Sequence, residues 1–274
     1  MMQAASTQWI SGSEPPAHAP DDDIPAVDWE GQALDCAACP NQAMSAQGRC
    51  HIGRACVFDR YAKRIDRFFN WNRSQANDYL DHPYFEVRAV AAKHADVFRL
   101  TSLIGDPDET VRLTVAMRVP QRLLKRLARD PDREVRIRVA QRIEGTALPE
   151  MIGDPDYYVR KTVARRLPET LLPRLAHDPD REVRLEVARR LPMPALFKLA
   201  HDPETEVRRL VAQRLPPALL SHMARDEEWS VRWEVANRAE GELLSQMSTD
   251  SEPEVAQLAT ERACKRRNSG GKHG

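Results

Sequence analysis

Apolar and polar positions along this chain recur in a fixed frame. From Asp106 the text DPDETVRLTVAMRVPQRLLKRLAR returns as DPDREVRIRVAQRIEGTALPEMIG and then as DPDYYVRKTVARRLPETLLPRLAH. The period is 24 residues without an insertion, and Val87, Val111, Val135, Val159, Val183, Val207, Val231 and Val255 mark eight units. A period of this length is the signature of a stacked array, in which each unit buries its apolar face only against its neighbours.

Each unit predicts one helix and a short second segment. Val111, Val115 and Val119 stand at i, i+4 and i+8, one stripe of an α-helix, with Ala116 small enough for close packing. The first Asp of each DPD predicts the N-cap. The proline after it then takes the first helical position, where its missing N–H costs nothing. Pro120, Pro168, Pro192 and Pro216 end the helix, because proline cannot donate and disfavours helix in the residue before it. The apolar segment that follows, such as Leu123, Leu124 and Leu127, reads equally as a second helix or a 3₁₀ turn. No segment alternates with period two, so no sheet is expected. The first unit, from Asp81, and the last, from Asp250, break the pattern as capping units do.

Charge narrows the range of partners. Lys and Arg together number 41, and so do Asp and Glu, so no net field draws in a polyanion, and nucleic acid is disfavoured as a partner. No run approaches the roughly 18 apolar residues that cross a bilayer, and the N-terminus lacks a basic start before an apolar stretch. The expectation is a cytoplasmic monomer with no membrane partner. Residues 1–33, rich in Pro, Ala and Asp, read as a disordered arm, and residues 264–274 as a disordered basic tail.

Between the arm and the repeats, residues 34–80 hold the candidate chemistry. Four of the five cysteines fall within 21 residues: Cys36, Cys39, Cys50 and Cys56. Clustered cysteines in a cytosolic chain point to metal rather than a disulfide framework. Thiolates suit iron–sulfur clusters and zinc alike. A zinc site usually shows two tight CxxC knuckles, whereas here the second pair is spread to CX5C, a looser wrap suited to a larger object. The Cys39-Pro40 step also occurs in ferredoxin-type sites. The readings left open are a [4Fe–4S] cluster, zinc, and unliganded thiols. Gly48 and Gly53 would let backbone N–H groups approach inorganic sulfides. His51 is a solvated loop residue on this reading, and Cys264 a surface thiol. Phe58, Tyr61, Ile65 and Phe68 lie at helical spacing and predict a connecting helix that packs the module onto the first repeat.

The four-cysteine module followed by the 24-residue DPDxxVRxxVAxRLPxxLLxxLAxD unit resembles the leucine-rich repeat variant family, over about residues 34 to 262. The resemblance implies an all-α, right-handed α-solenoid of alternating α- and 3₁₀-helices over residues 81–263. It also implies a [4Fe–4S] cluster on Cys36, Cys39, Cys50 and Cys56, in a family whose members are commonly encoded by nitrogen-fixing bacteria. Glu144-Gly145 and Glu240-Gly241 depart from it where proline is usual, which puts the local turn in question.

Two arginine series run through the units: Arg88, Arg112, Arg136, Arg160, Arg184, Arg208 and Arg232, and Arg118, Arg142, Arg166, Arg190, Arg214 and Arg238. A phosphate-binding ladder would suit arginine. A residue present in every unit more economically serves what every unit needs, and the Asp series at the same period offers partners. Function belongs where units differ. Tyr157 and Tyr158 in one unit, with Trp229 and Trp233 in another, are the candidate contacts to a protein partner, the Trp pair sharing a helix face. No phosphate loop or nucleophile motif is present, and His177 and His201 recur at one repeat position. The expected function is therefore a non-enzymatic, cluster-bearing scaffold that docks a protein. A nucleic-acid-binding repeat protein and a redox enzyme using the cluster for electron transfer are the alternatives.

Overall fold

The structure is a computed structural model and describes residues 24–270. Among the described residues there is no strand. The β pairing there consists of two isolated antiparallel bridges, Val27 with Ala33 and His51 with Ala55.

Each repeat opens with a ten-residue α-helix, as in Glu109–Arg118, Arg133–Arg142, Tyr157–Arg166, Arg181–Arg190, Thr205–Arg214 and Trp229–Arg238. The stripe read from sequence is the buried one. Val111, Val115, Ala116, Val159, Val163 and Ala164 are fully enclosed, and the second segments add a leucine row that includes Leu124, Leu172, Leu196 and Leu220. Each valine or leucine side chain removed from water is worth about 1.5–3 kcal/mol, so the array is held by rows of small, repeated burials.

The second segment is 3₁₀ in Gly145–Met151, Glu169–Leu175, Ala195–His201 and Pro217–Met223. Pro149 and Pro173 inside two of these segments remove the donors that an α-helix would need. Gly241–Met247 has no proline and closes as an α-helix. At the two Glu-Gly departures the turn is made by glycine in place of proline: Gly145 and Gly241 have φ of 63° and 56°, a left-handed conformation that glycine adopts without strain.

The N-cap falls two residues later than the repeat pattern suggests. Asp108, Asp132, Asp156 and Asp180, the second acid of each DPD, accept hydrogen bonds from the first-turn N–H groups. The proline therefore stands outside the helix, in the turn. The first acid is withheld from capping because it is the buried partner of an arginine from the preceding unit. Arg160 donates from Nε to Asp178 Oδ2 at 2.7 Å and from Nη2 to Oδ1 at 2.8 Å. Its Nη1 donates to the carbonyls of Asp154 and Pro155 in its own unit. The same fork joins Arg88 to Asp106, Arg136 to Asp154, Arg184 to Asp202, Arg208 to Asp226 and Arg232 to Asp250.

The second arginine series points the other way. Arg166 donates to the carbonyls of Ala140 and Ile143, at 2.7 Å each, where the preceding unit's helix ends. Arg118, Arg190, Arg214, Arg238 and Arg262 repeat the contact one unit apart. A cation at a helix C-terminus satisfies orphan carbonyls and complements the helix dipole.

The chain divides into two compact units between Leu123 and Leu124. In the first, the cysteine module is continuous with the repeats: helix Ala62–Trp71 packs against Phe85–His94, and Phe69 stacks on His94 at 6.1 Å. A boundary after residue 80 runs through that shared core.

Both disordered ends expected from composition need correction where the structure describes them. Residues 24–33 are docked, because the buried guanidinium of Arg64 requires acceptors and takes the carbonyls of Ile24 and Pro25. Arg60 N–H adds a bond to the Val27 carbonyl. Residues 1–23 of the arm lie outside the described residues. At the other end, helix Pro253–Gly270 runs through Cys264 into the expected tail, where Lys265, Arg266 and Arg267 favour helix and no breaker intervenes; residues 271–274 lie outside the described set.

Two outcomes follow from the arginine fork. Arg160→Ala strands a buried Asp178 and should lower stability by about 3 kcal/mol, whereas Arg181→Ala removes only a solvated pair and should stay within about 1 kcal/mol, both read from urea unfolding midpoints. The second concerns acid. Burial works against the charge on Asp250, but the hydrogen bond from Arg232, the Glu252 N–H and the Arg232 charge outweigh it and hold the carboxyl below its ordinary value. A lowered folded pKa stabilises above the unfolded value, near pH 4, and the contribution disappears as pH falls through Asp250's own pKa. Protection from hydrogen exchange in Pro253–Gly270, measured against the intrinsic rate at each pH, should therefore fall below about pH 4, and Asp250→Asn should flatten that dependence.

Candidate metal centre

The four cysteines sit on two local devices. Cys36 and Cys39 form one tight loop, in which Cys39 N–H reaches the Cys36 carbonyl and the Gln42 N–H reaches the Cys39 carbonyl at 3.0 Å. Cys50 and Cys56 flank a small hairpin. His51 and Ala55 exchange both backbone hydrogen bonds, at 2.8 Å each, which draws the ends of the CX5C segment side by side. Gly53 turns the hairpin at φ 76°, a conformation costly for any residue with a Cβ. The glycine serves backbone geometry here, and His51 is exposed, its Nδ1 within 2.6 Å of the Ile52 carbonyl oxygen.

Buried polar side chains hold these devices in place. Asn72, almost fully enclosed, donates from Nδ2 to the carbonyls of Arg49 and Phe68 and accepts from Arg49 Nε at 3.0 Å. It pins the residue before Cys50 to the end of helix Ala62–Trp71. Asp59, also enclosed, pairs with Arg64 at 3.1 Å and accepts from the Tyr61 N–H. Sequence reading passed over Asn72, Asp59 and Arg64. The signal available was three polar residues within or beside an apolar helical stripe, and only the fold shows that they face inward.

Cys36, Cys39 and Cys56 line one cavity of about 250 Å³, walled by Trp29, Leu34, Pro40, Ile52 and Phe58. Trp29 belongs to the docked N-terminal residues and is itself held edge-on to His82, with ring centres 4.8 Å apart. Cys50 lies beside the loop of Cys36 and Cys39, its thiol 3.9 Å from the Asn41 carbonyl oxygen. Among the described residues no three His, Cys, Asp or Glu side chains close on a single point as ligands of one ion. The thiols stand around a space.

Burial divides the thiols into two pairs. Cys36 and Cys39 are partly exposed, Cys50 and Cys56 buried. Burial, with nearby Cys36 and Cys39, raises the Cys50 pKa despite a hydrogen bond with Ser45. At Cys56 burial pushes the thiol up to about 12, against the lowering effect of the Phe58 backbone. A thiolate there is costly until a cation shares its charge, and a coordinating metal supplies that charge and reverses the preference.

The four aromatic partner candidates are not at this centre. Tyr157 and Trp229 are exposed, while Tyr158 and Trp233 are half-buried. Tyr157 and Trp229 both open their helices, three repeats apart, so they share one row of the array. Tyr158 packs edge-on to Tyr157, with ring centres 6.3 Å apart. Cys264 is exposed, as expected.

Comparison with known proteins agrees with this architecture. Residues 26–78 match the family described as LRV protein FeS4 cluster, and residues 157–180, 181–204 and 205–228 each match the leucine rich repeat variant. A solved structure, titled a leucine-rich repeat variant with a novel repetitive protein structural motif, is 42% identical with a TM-score of 0.78. That match covers 84% of this chain and 98% of the other. The chain belongs to the leucine-rich repeat variant family and carries that family's iron–sulfur module at its N-terminal end. A further relative, 50% identical over 94 residues, is an uncharacterized 27.7 kDa protein in the nifB 3′ region of Rhodobacter capsulatus. That match covers 34% of this chain and 38% of the relative.

In metal-free protein, iodoacetamide at pH 8 should label Cys36, Cys39 and Cys264 well before Cys50 and Cys56, as read by peptide mass spectrometry. Once a metal group is bound, Cys264 alone should remain fast.

Proposed function

We propose that this protein is a [4Fe–4S] cluster-binding repeat scaffold, not an enzyme, that docks a protein partner in the reducing cytoplasm. Cys36, Cys39, Cys50 and Cys56 are the ligands. The observation that carries this reading is the cavity with thiols on its walls. Cys36, Cys39 and Cys56 line a space of about 250 Å³, room for a larger inorganic body than one zinc ion, whose four sulfurs would stand about 2.3 Å from a single point. Once bound, such a cluster supplies one-electron chemistry or a transferable metal group.

This chain's own residues prepare the site. The hairpin and the Asn72 clamp set Cys50 beside Cys56, while Trp29, Phe58 and Ile52 wall the cavity onto which Cys56 opens. The arginines support a protein partner over nucleic acid. The guanidinium groups of Arg160 and Arg166, typical of the two series, are engaged by Asp carboxylates and helix-end carbonyls and do not stand as a phosphate ladder. Tyr157, Tyr158, Trp229 and Trp233 are the proposed partner contacts. The relative in the nifB 3′ region supports a role linked to nitrogen fixation.

Anaerobic purification with iron, sulfide and zinc assays tests the cofactor. About four irons and four sulfides per chain, lost in Cys56→Ser, are expected. Stoichiometric zinc without sulfide would overturn the cluster.

A further inference from the structure

One residue of the module touches two of the cysteine sulfurs and is tied to a distant aromatic group. The Asn41 N–H donates to Cys39 Sγ at 3.4 Å, and its carbonyl lies 3.9 Å from Cys50 Sγ. Asn41 also occupies the N-cap of the short helix Gln42–Ala46, a position where asparagine normally turns its side chain back onto the first-turn N–H groups. Here the side chain makes no such bond. Its Nδ2 donates instead to the hydroxyl of Tyr79 at 2.8 Å, 38 residues away.

The far end of that link is rigid. The Tyr79 ring meets Phe58, Phe68, Phe69 and His82, with ring centres between 5.6 and 6.2 Å apart. Phe68 and Phe69 are fully enclosed in the core shared with the first repeat. An anchor seated in that shared core thus reaches through one side-chain hydrogen bond to the peptide whose N–H points at a cysteine sulfur.

Hydrogen bonds to ligand sulfurs stabilise the more negatively charged, reduced state of an iron–sulfur centre and raise its potential. The geometry points to Asn41 and Tyr79 as a positioning pair: the Tyr79 hydroxyl fixes the Asn41 peptide so that its N–H stays on Cys39 Sγ, which sets the reduction potential of the bound cluster. Neither residue is a ligand. The inference rests on the cluster reading above, and it assigns the link between module and first repeat a role beyond holding the module in place.

The test uses the full chain, purified anaerobically, with iron and sulfide content, melting temperature and an EPR-monitored redox titration for each form. Tyr79→Phe keeps the ring and removes only the hydroxyl. It should retain wild-type cluster content and lower the midpoint potential, and Asn41→Ala, which also loses the anchor, should shift it in the same direction. Wild-type potential in both variants at full cluster content would overturn the inference and leave the cluster reading intact. Wild-type protein holding zinc without sulfide would overturn both. If Tyr79→Phe lowers the melting temperature or the cluster content without moving the potential of the clusters that remain, the pair is structural only and the inference falls.

Discussion

An arginine shared between neighbouring units is the constraint on which the repeat architecture depends. Each 24-residue unit is too small to enclose its own apolar face, and burial alone would let neighbours slide or twist against one another. The Arg160–Asp178 fork removes that freedom, since a planar guanidinium meeting a carboxylate through two parallel bonds tolerates little change in distance or angle. The same arginine grips the turn of its own unit, so turn geometry and inter-unit spacing are set by one side chain. The back-pointing series closes the carbonyl ends of the preceding units' helices, whether Glu-Gly or proline follows them.

These pairs build matched charges into the repeat itself. Each fork consumes one basic and one acidic residue, and the buried position makes the pairing obligatory, because an unmatched partner would be a desolvated charge. What remains for function is therefore small: the exposed positions that vary from unit to unit, and the cysteine module at one end.

The module follows a different logic. Its cysteine loops carry little regular structure beyond the short helix Gln42–Ala46, and they are fixed by a few enclosed polar side chains (Asn72, Asp59, Arg64) and by aromatic packing continuous with the first repeat. The repeats thus give the cysteine loops a rigid wall, and the two buried thiols lie on that inner side. Cys36 and Cys39, the partly exposed pair, lie on the solvent-accessible part of the module.

The chain alone determined the repeat period, the helix stripe, the absence of sheet among the described residues, the clustered cysteines and the structural use of the arginines. These all depend on local spacing, which sequence displays directly. Other features depended on which groups compete for the same partner. Asp106 and Asp108 look alike in the repeat text, and only the packed neighbour shows that the first meets an arginine and the second caps the helix. Residues 24–33 look unstructured by composition, yet the buried Arg64 recruits their carbonyls. The Asn41–Tyr79 bond spans 38 residues, a separation over which no periodicity carries information. Long-range polar contacts of this kind are set by three-dimensional proximity, so the tertiary structure alone decided them.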